Sequence, residues 1–202
     1  MSVFVKRDRF PQVVLPYVKL KYIESTGTQY IDTEYKPNNN TRVVLDADVP
    51  KNGSKATYVL GVNEWVSGKY FQIRILTSGT TYISDFGSQL GGNTKVSPNG
   101  RMIFDKNKNT CIINDVSYIN TDTDFQCSTV LKLLAGVNTS GTHIATPGKI
   151  YKCSVYDNDV LIRDYIPVKM KESEEVGLWD RVEGKFYGNA GKGTFVAGEV
   201  AA

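Results

Sequence analysis

The sequence predicts an all-β fold, either a two-sheet sandwich or a closed barrel. Three observations carry this expectation. Helical periodicity is missing from almost every segment. Short alternating or apolar runs rich in Val, Ile, Thr and Tyr recur at even spacing. Clusters of Gly, Asn, Asp and Pro separate them. With 202 residues, 41% hydrophobic and 22% charged, one sandwich would use nearly the whole chain.

Residues 1–16 differ from the rest. Val3, Phe4 and Val5 precede a charged run, and Phe10-Pro11 and Leu15-Pro16 interrupt regular pairing. This stretch reads as an arm, either a docking segment or a frayed edge, ahead of a domain at 17–202. Strand-like runs then follow at Tyr17–Ile23, Thr28–Asp32, Thr41–Val49, Thr57–Val62, Tyr70–Leu76 and Thr80–Phe86. They continue at Arg101–Asp105, Thr110–Asn114, Val130–Ala135, Lys149–Tyr156 and Val160–Pro167. The last are Val176–Trp179, Lys185–Tyr187 and Thr194–Ala197. Turns are expected at Pro37–Asn40, Lys51–Gly53, Ser78–Gly79, Gly91–Asn93, Pro98–Gly100 and Asp157–Asp159. Within Lys149–Tyr156, strict alternation puts Ile150, Lys152, Ser154 and Tyr156 on one face. Tyr151, Cys153 and Val155 take the other.

Composition excludes several functions. A net charge of +3 is too mild to imply a nucleic-acid partner without a basic patch. The basic cluster Lys95, Arg101, Lys106 and Lys108 reads as a solvated hairpin. The longest apolar runs fall short of a membrane span. The N-terminus lacks the apolar core of a signal peptide, which predicts synthesis in the cytoplasm. Cys111, Cys127 and Cys153 are far apart and His143 is the only histidine, so no zinc site is expected. The cysteines fit three free thiols or one disulfide plus a thiol. No cofactor is implied.

Four stretches invite a chemical reading. Gly191-Lys192-Gly193-Thr194 suggests a phosphate loop, but the Walker spacing is missing and a strand follows instead of a helix. Structural glycines are expected there: Gly184, Gly188, Gly191 and Gly193 serve tight reversals at positive φ. Asp46 and Asp48 share a strand face, the arrangement a glycoside hydrolase would need, yet a solvent-facing pair accounts for them. Asp157, Asn158 and Asp159 offer hard oxygen ligands for calcium, and a hairpin turn explains them more simply. His143 reads as a surface residue in a polar loop, with no nucleophile to pair with it. Among the aromatics, Trp65 in a loop-like segment, with Tyr70 beside it, is the candidate for stacking on a ligand.

Two segments carry a family resemblance. Leu20–Thr33 is one; Lys149–Pro167 together with Val176–Phe195, including Gly177-Leu178-Trp179-Asp180-Arg181, is the other. They resemble the concanavalin A-like, laminin-G-like sandwich domains of structural proteins in bacteriophages of gut bacteria. The likeness spans about residues 17–198. Glu183-Gly184 stands where such domains often have Asn-Gly, a tolerable change at a turn. The resemblance implies an antiparallel two-sheet jelly roll with its first and last segments adjacent. It implies a virion-surface role and brings no catalytic or ligand residues with it.

The expected function is therefore a non-enzymatic virion structural protein, assembled in the host cytoplasm, that decorates a capsid or forms a head fibre or tail appendage. Val3, Phe4, Val5 and Phe10 would dock it to capsid or tail proteins. The alternative is an adhesin or lectin module that binds host-surface glycans through Trp65 and Tyr70. A homo-oligomer is compatible with the virion reading alone.

Overall fold

The computed structural model describes residues 15–121, 123–137 and 143–202, with backbone alone at 89–91. Val3, Phe4, Val5 and Phe10 lie outside the described residues. Within them the chain is all-β, without a helix. The first strands are β1 (Tyr17–Lys19), β2 (Ile23–Thr26), β3 (Ile31–Asp32), β4 (Thr41–Asp48), β5 (Thr57–Glu64) and β6 (Lys69–Ile75). Next come β7 (Ile83–Gly87), β8 (Gln89–Asn93), β9 (Arg101–Asn107), β10 (Thr110–Ile113), β11 (Val116–Ile119) and β12 (Lys132–Leu133). The last are β13 (Ala135–Val137), β14 (His143–Ala145), β15 (Pro147–Asp157), β16 (Val160–Met170), β17 (Val176–Asp180), β18 (Lys185–Tyr187) and β19 (Val196–Ala197).

The larger sheet runs β11-β10-β9-β4-β15-β16-β17-β18, with β1 added on β16 and β2 joining β15 to β19. The smaller runs β3-β12-β5-β6-β7-β8, and β13 and β14 form a separate ribbon. Every described pairing between these strands is antiparallel. The two large sheets share one core. Strand β4 alternates strictly, sending Val43, Leu45 and Ala47 inward. Phe71, Ile73 and Ile75 of β6 belong to the same cluster from the other sheet. Each fully buried side chain of this size stabilises the fold by about 1.5–3 kcal/mol. Edge-on ring contacts fix the middle: Tyr82 on Phe104 at 5.1 Å and Phe86 on Phe125 at 4.9 Å.

Four expectations need correction. First, Ile150 does not share a face with Lys152 and Ser154. The register of β15 on β4 shifts between Ile150 and Lys152, and this bulge returns Cys153 and Val155 to the core side with Ile150. Second, Lys106 is not solvated. It follows Met102 and Phe104 at period two on β9 and is fully buried, while the apolar Ile103 between them is 44% exposed. Third, Gly91–Asn93 is not a turn but part of β8. A Cβ on Gly92 would sit 2.0 Å from the Tyr118 ring, so close approach, not reversal, requires that glycine. Fourth, the run ending at Asn114 stops short, because Asn114 and Asp115 (φ 43° and 68°) make a two-residue hairpin turn. Asn158 and Asp159 repeat that geometry at φ 49° and 63°.

The C-terminal segment is tied to the start of the domain. Val196 and Ala197 pair with Glu24 and Ile23. The Asp180 carboxylate accepts from the backbone N–H groups of Asp164 and Val182, each at 2.9 Å, which anchors the turn after Trp179. Trp179 itself packs on Tyr17, ring centroids 5.0 Å apart. The three cysteines are buried free thiols.

Candidate functional site

The Gly191–Gly193 run folds into a loop that lies along the β2–β3 turn. The Ala190 N–H donates to the Tyr30 carbonyl at 3.0 Å and the Lys192 N–H to the Thr28 carbonyl at 2.9 Å. The Thr28 hydroxyl donates back to the Lys192 carbonyl at 3.1 Å. Asn189 staples the loop: its Oδ1 accepts from Gly191 N–H at 2.7 Å and Tyr30 N–H at 3.2 Å. The glycines serve two purposes here. Gly193 adopts φ +71°, and a Cβ on Gly191 would fall 2.1 Å from the Thr28 carbonyl oxygen. Gly184 shares the positive φ, at +67°, but Gly188 does not, and the nearest atom a Cβ there would meet is the movable end of the Glu175 side chain, at 2.3 Å.

This loop forms one wall of a cleft of about 820 Å³. Gly27, Thr28 and Tyr30 line it from the β2–β3 turn, His143, Ile144 and Ala145 from β14, and Lys55 from the segment before β5. The Tyr30 and His143 rings are parallel within 1°, their centroids 5.8 Å apart, and make a flat step on the cleft surface. Burial first, then the Asp32 carboxylate, raises the Tyr30 pKa. Burial lowers that of His143, Lys132 lowers it further, and Asp32 opposes both. At neutral pH the step is therefore an uncharged phenol beside a mainly neutral imidazole. Lys55 and Lys192 bring ammonium groups, and among the described residues no carboxylate lines the cleft. Such a surface suits a flat ligand with polar or anionic substituents.

Trp65 and Tyr70 do meet, edge to face at 6.4 Å. Trp65 is 49% exposed at a turn, but Tyr70 is only 4% exposed and has no free face to offer. The corner is held by Glu64 in a structural role. Burial opposes ionisation of that carboxyl, yet hydrogen bonds from Thr129, Ser128 and Ser67 outweigh it and lower the pKa. Asp46 is clamped by the Arg101 fork, two bonds of 2.7 Å, and the Arg101 guanidinium lies 4.0 Å over the Tyr151 ring. Asp46 and Asp48 are therefore not a free acid–base pair. The Asp157 carboxylate accepts from Asn38 at 3.2 Å, and no His/Cys/Asp/Glu group fit for a metal exists among the described residues.

Sequence reasoning missed Tyr30 and His143 as a pair, since 113 residues separate them and only β3, β14 and the C-terminal loop bring them together. One signal was present: Gly-rich polar stretches around both, which tertiary pairing turns into walls. Comparison with known proteins finds no family model, no curated protein and no solved structure that matches this chain.

Proposed function

We propose that this chain is a non-enzymatic bacteriophage virion structural protein, a concanavalin A-like jelly-roll sandwich displayed on the particle as a capsid decoration, head fibre or tail appendage. One observation supports the reading above others. The two segments that carry the family resemblance pack against each other, through the pairing of Lys149 and Ile150 on β15 with Glu24 and Ile23 on β2 and the bonds from Ala190 and Lys192 to Tyr30 and Thr28. Distant stretches that close into one unit behave as the signature of a single domain. The clamping of Asp46 by Arg101 accords with a role in display, not hydrolysis. Residues 1–16 are assigned to docking, with Val3, Phe4, Val5 and Phe10 as anchors. In the test, particles are purified and analysed by mass spectrometry, which should find the chain at fixed stoichiometry. A chain lacking residues 1–16 should fold but no longer co-sediment with particles. Absence from purified particles sinks the virion reading, and co-sedimentation of the truncated chain sinks the docking role.

A second reading, glycan binding, is favoured by the aromatic step in the cleft. A glycan array should show binding that Tyr30→Ala abolishes and Trp65→Ala leaves intact. Silence across the array removes this reading while leaving the first in place.

A further inference from the structure

We propose that the Tyr30–His143 cleft selects an acidic sugar, a pyranose ring that carries a carboxylate, sulfate or phosphate. The proposal rests on the glycan-binding reading and adds the charge of the ligand. Its volume, about 820 Å³, lies in the range of small-molecule sites, roughly 300–1,000 Å³. The flat Tyr30–His143 step, flanked by Ile144, Ala145 and Ala190, offers an apolar floor on which the C–H face of a sugar can rest.

The charge follows from what the lysines lack. An unpaired surface lysine is ordinary here, since Lys51 and Lys171 also make no ion pair among the described residues; what sets the cleft apart is that it brings two such lysines together. Among the described residues Lys55 and Lys192, from two separate segments of the cleft wall, make no ion pair, and no Asp or Glu lines the cleft with them. The nearest acid to act on the step is Asp32, which is engaged by the Glu34 N–H at 3.0 Å. Lys132 adds positive charge near His143 and is itself buried. Two lysines and one apolar step lining the same cleft match a ring with an anionic substituent. Nucleic-acid binding would need a longer series of phosphate contacts than two lysines supply.

The test uses the full chain against matched pairs of oligosaccharides, neutral and uronate, sulfated or phosphorylated, with a short oligothymidylate alongside. The acidic member of a pair should bind about tenfold tighter or more, and added salt should erode the difference. The double variant Lys55→Glu, Lys192→Glu should lose that preference while keeping its unfolding midpoint, because both side chains are exposed. Equal binding of neutral and acidic partners, unchanged by the charge reversal, overturns the selectivity and leaves glycan binding standing. Silence toward every sugar overturns both. Tighter binding of the oligothymidylate overturns the sugar in favour of nucleic acid.

Discussion

Lys106 packs against two aromatic rings and Lys192 lines a cleft that holds two, and the fold puts them to opposite uses. The Lys106 ammonium is sealed between the sheets, 5.0 Å from the Phe71 ring and 5.5 Å from Phe86, and donates to the Ser84 hydroxyl at 2.9 Å. Ser84 in turn donates to Asn120 at 3.0 Å. Burial pushes the Lys106 pKa down to about 8. Lys192 stands exposed on a cleft wall, with its charge unspent among the described residues. A cation on the inward phase of a strand is desolvated and becomes part of the core. A cation on a loop stapled by its backbone keeps its hydration and stays free for a ligand. The residue type does not distinguish them; desolvation does.

The largest effect comes from opening the sealed site. Phe86 meets Phe125 at 4.9 Å and Phe71 at 6.4 Å, and it closes the space over Lys106. Phe86→Ala should cost about 3–5 kcal/mol in urea unfolding. Water that enters the void should also carry the Lys106 pKa back toward its ordinary value. A loss under about 1 kcal/mol would mean that the aromatic enclosure contributes little.

Next in size is the charge itself. Between the unfolded value of 10.5 and the folded value of about 8, the unfolded chain holds the Lys106 proton and the folded chain does not. Stability from this group is thus highest above 10.5 and falls as pH drops through that window. The loss reaches about 3 kcal/mol near pH 8 and grows no further below it. Lys106→Met removes this dependence. The variant should gain on the wild type by about that amount as pH falls through the window. Parallel unfolding curves for the two proteins across the window would refute the lowered pKa.

The fold class was legible because period-two runs and turn residues repeat along the whole chain. Individual faces were less so. Lys106 reads as solvated by composition, but strand phase is set by Met102 and Phe104 on either side of Ile103, and phase wins. Strict alternation puts Ile150 on the wrong face because a bulge leaves no mark in hydrophobicity. That the Gly191-Lys192-Gly193 run leads into a strand and not a helix was legible. That it walls a cleft was not, since its partners Thr28 and Tyr30 lie at the other end of the chain.

On the cleft side the effects are smaller and more local. Gly191→Ala should cost about 1–3 kcal/mol, because the new Cβ meets the backbone carbonyl of Thr28 at 2.1 Å and neither strand of the staple gives way easily. A midpoint equal to wild type in thermal unfolding would mean that the loop does not pack as closely as described.

Lys192→Ala marks the lower limit of the comparison. The side chain is exposed and makes no ion pair among the described residues, so its removal should leave stability within about 0.5 kcal/mol in either direction. Set against Lys106→Met, the same loss of one ammonium should move stability and its pH profile in one case and neither in the other. If Lys192→Ala instead destabilises by more than about 1 kcal/mol, its charge is spent within the fold and the cleft has one fewer free cation to offer. Urea unfolding of the two single variants side by side decides between a charge that belongs to the core and one kept for a partner.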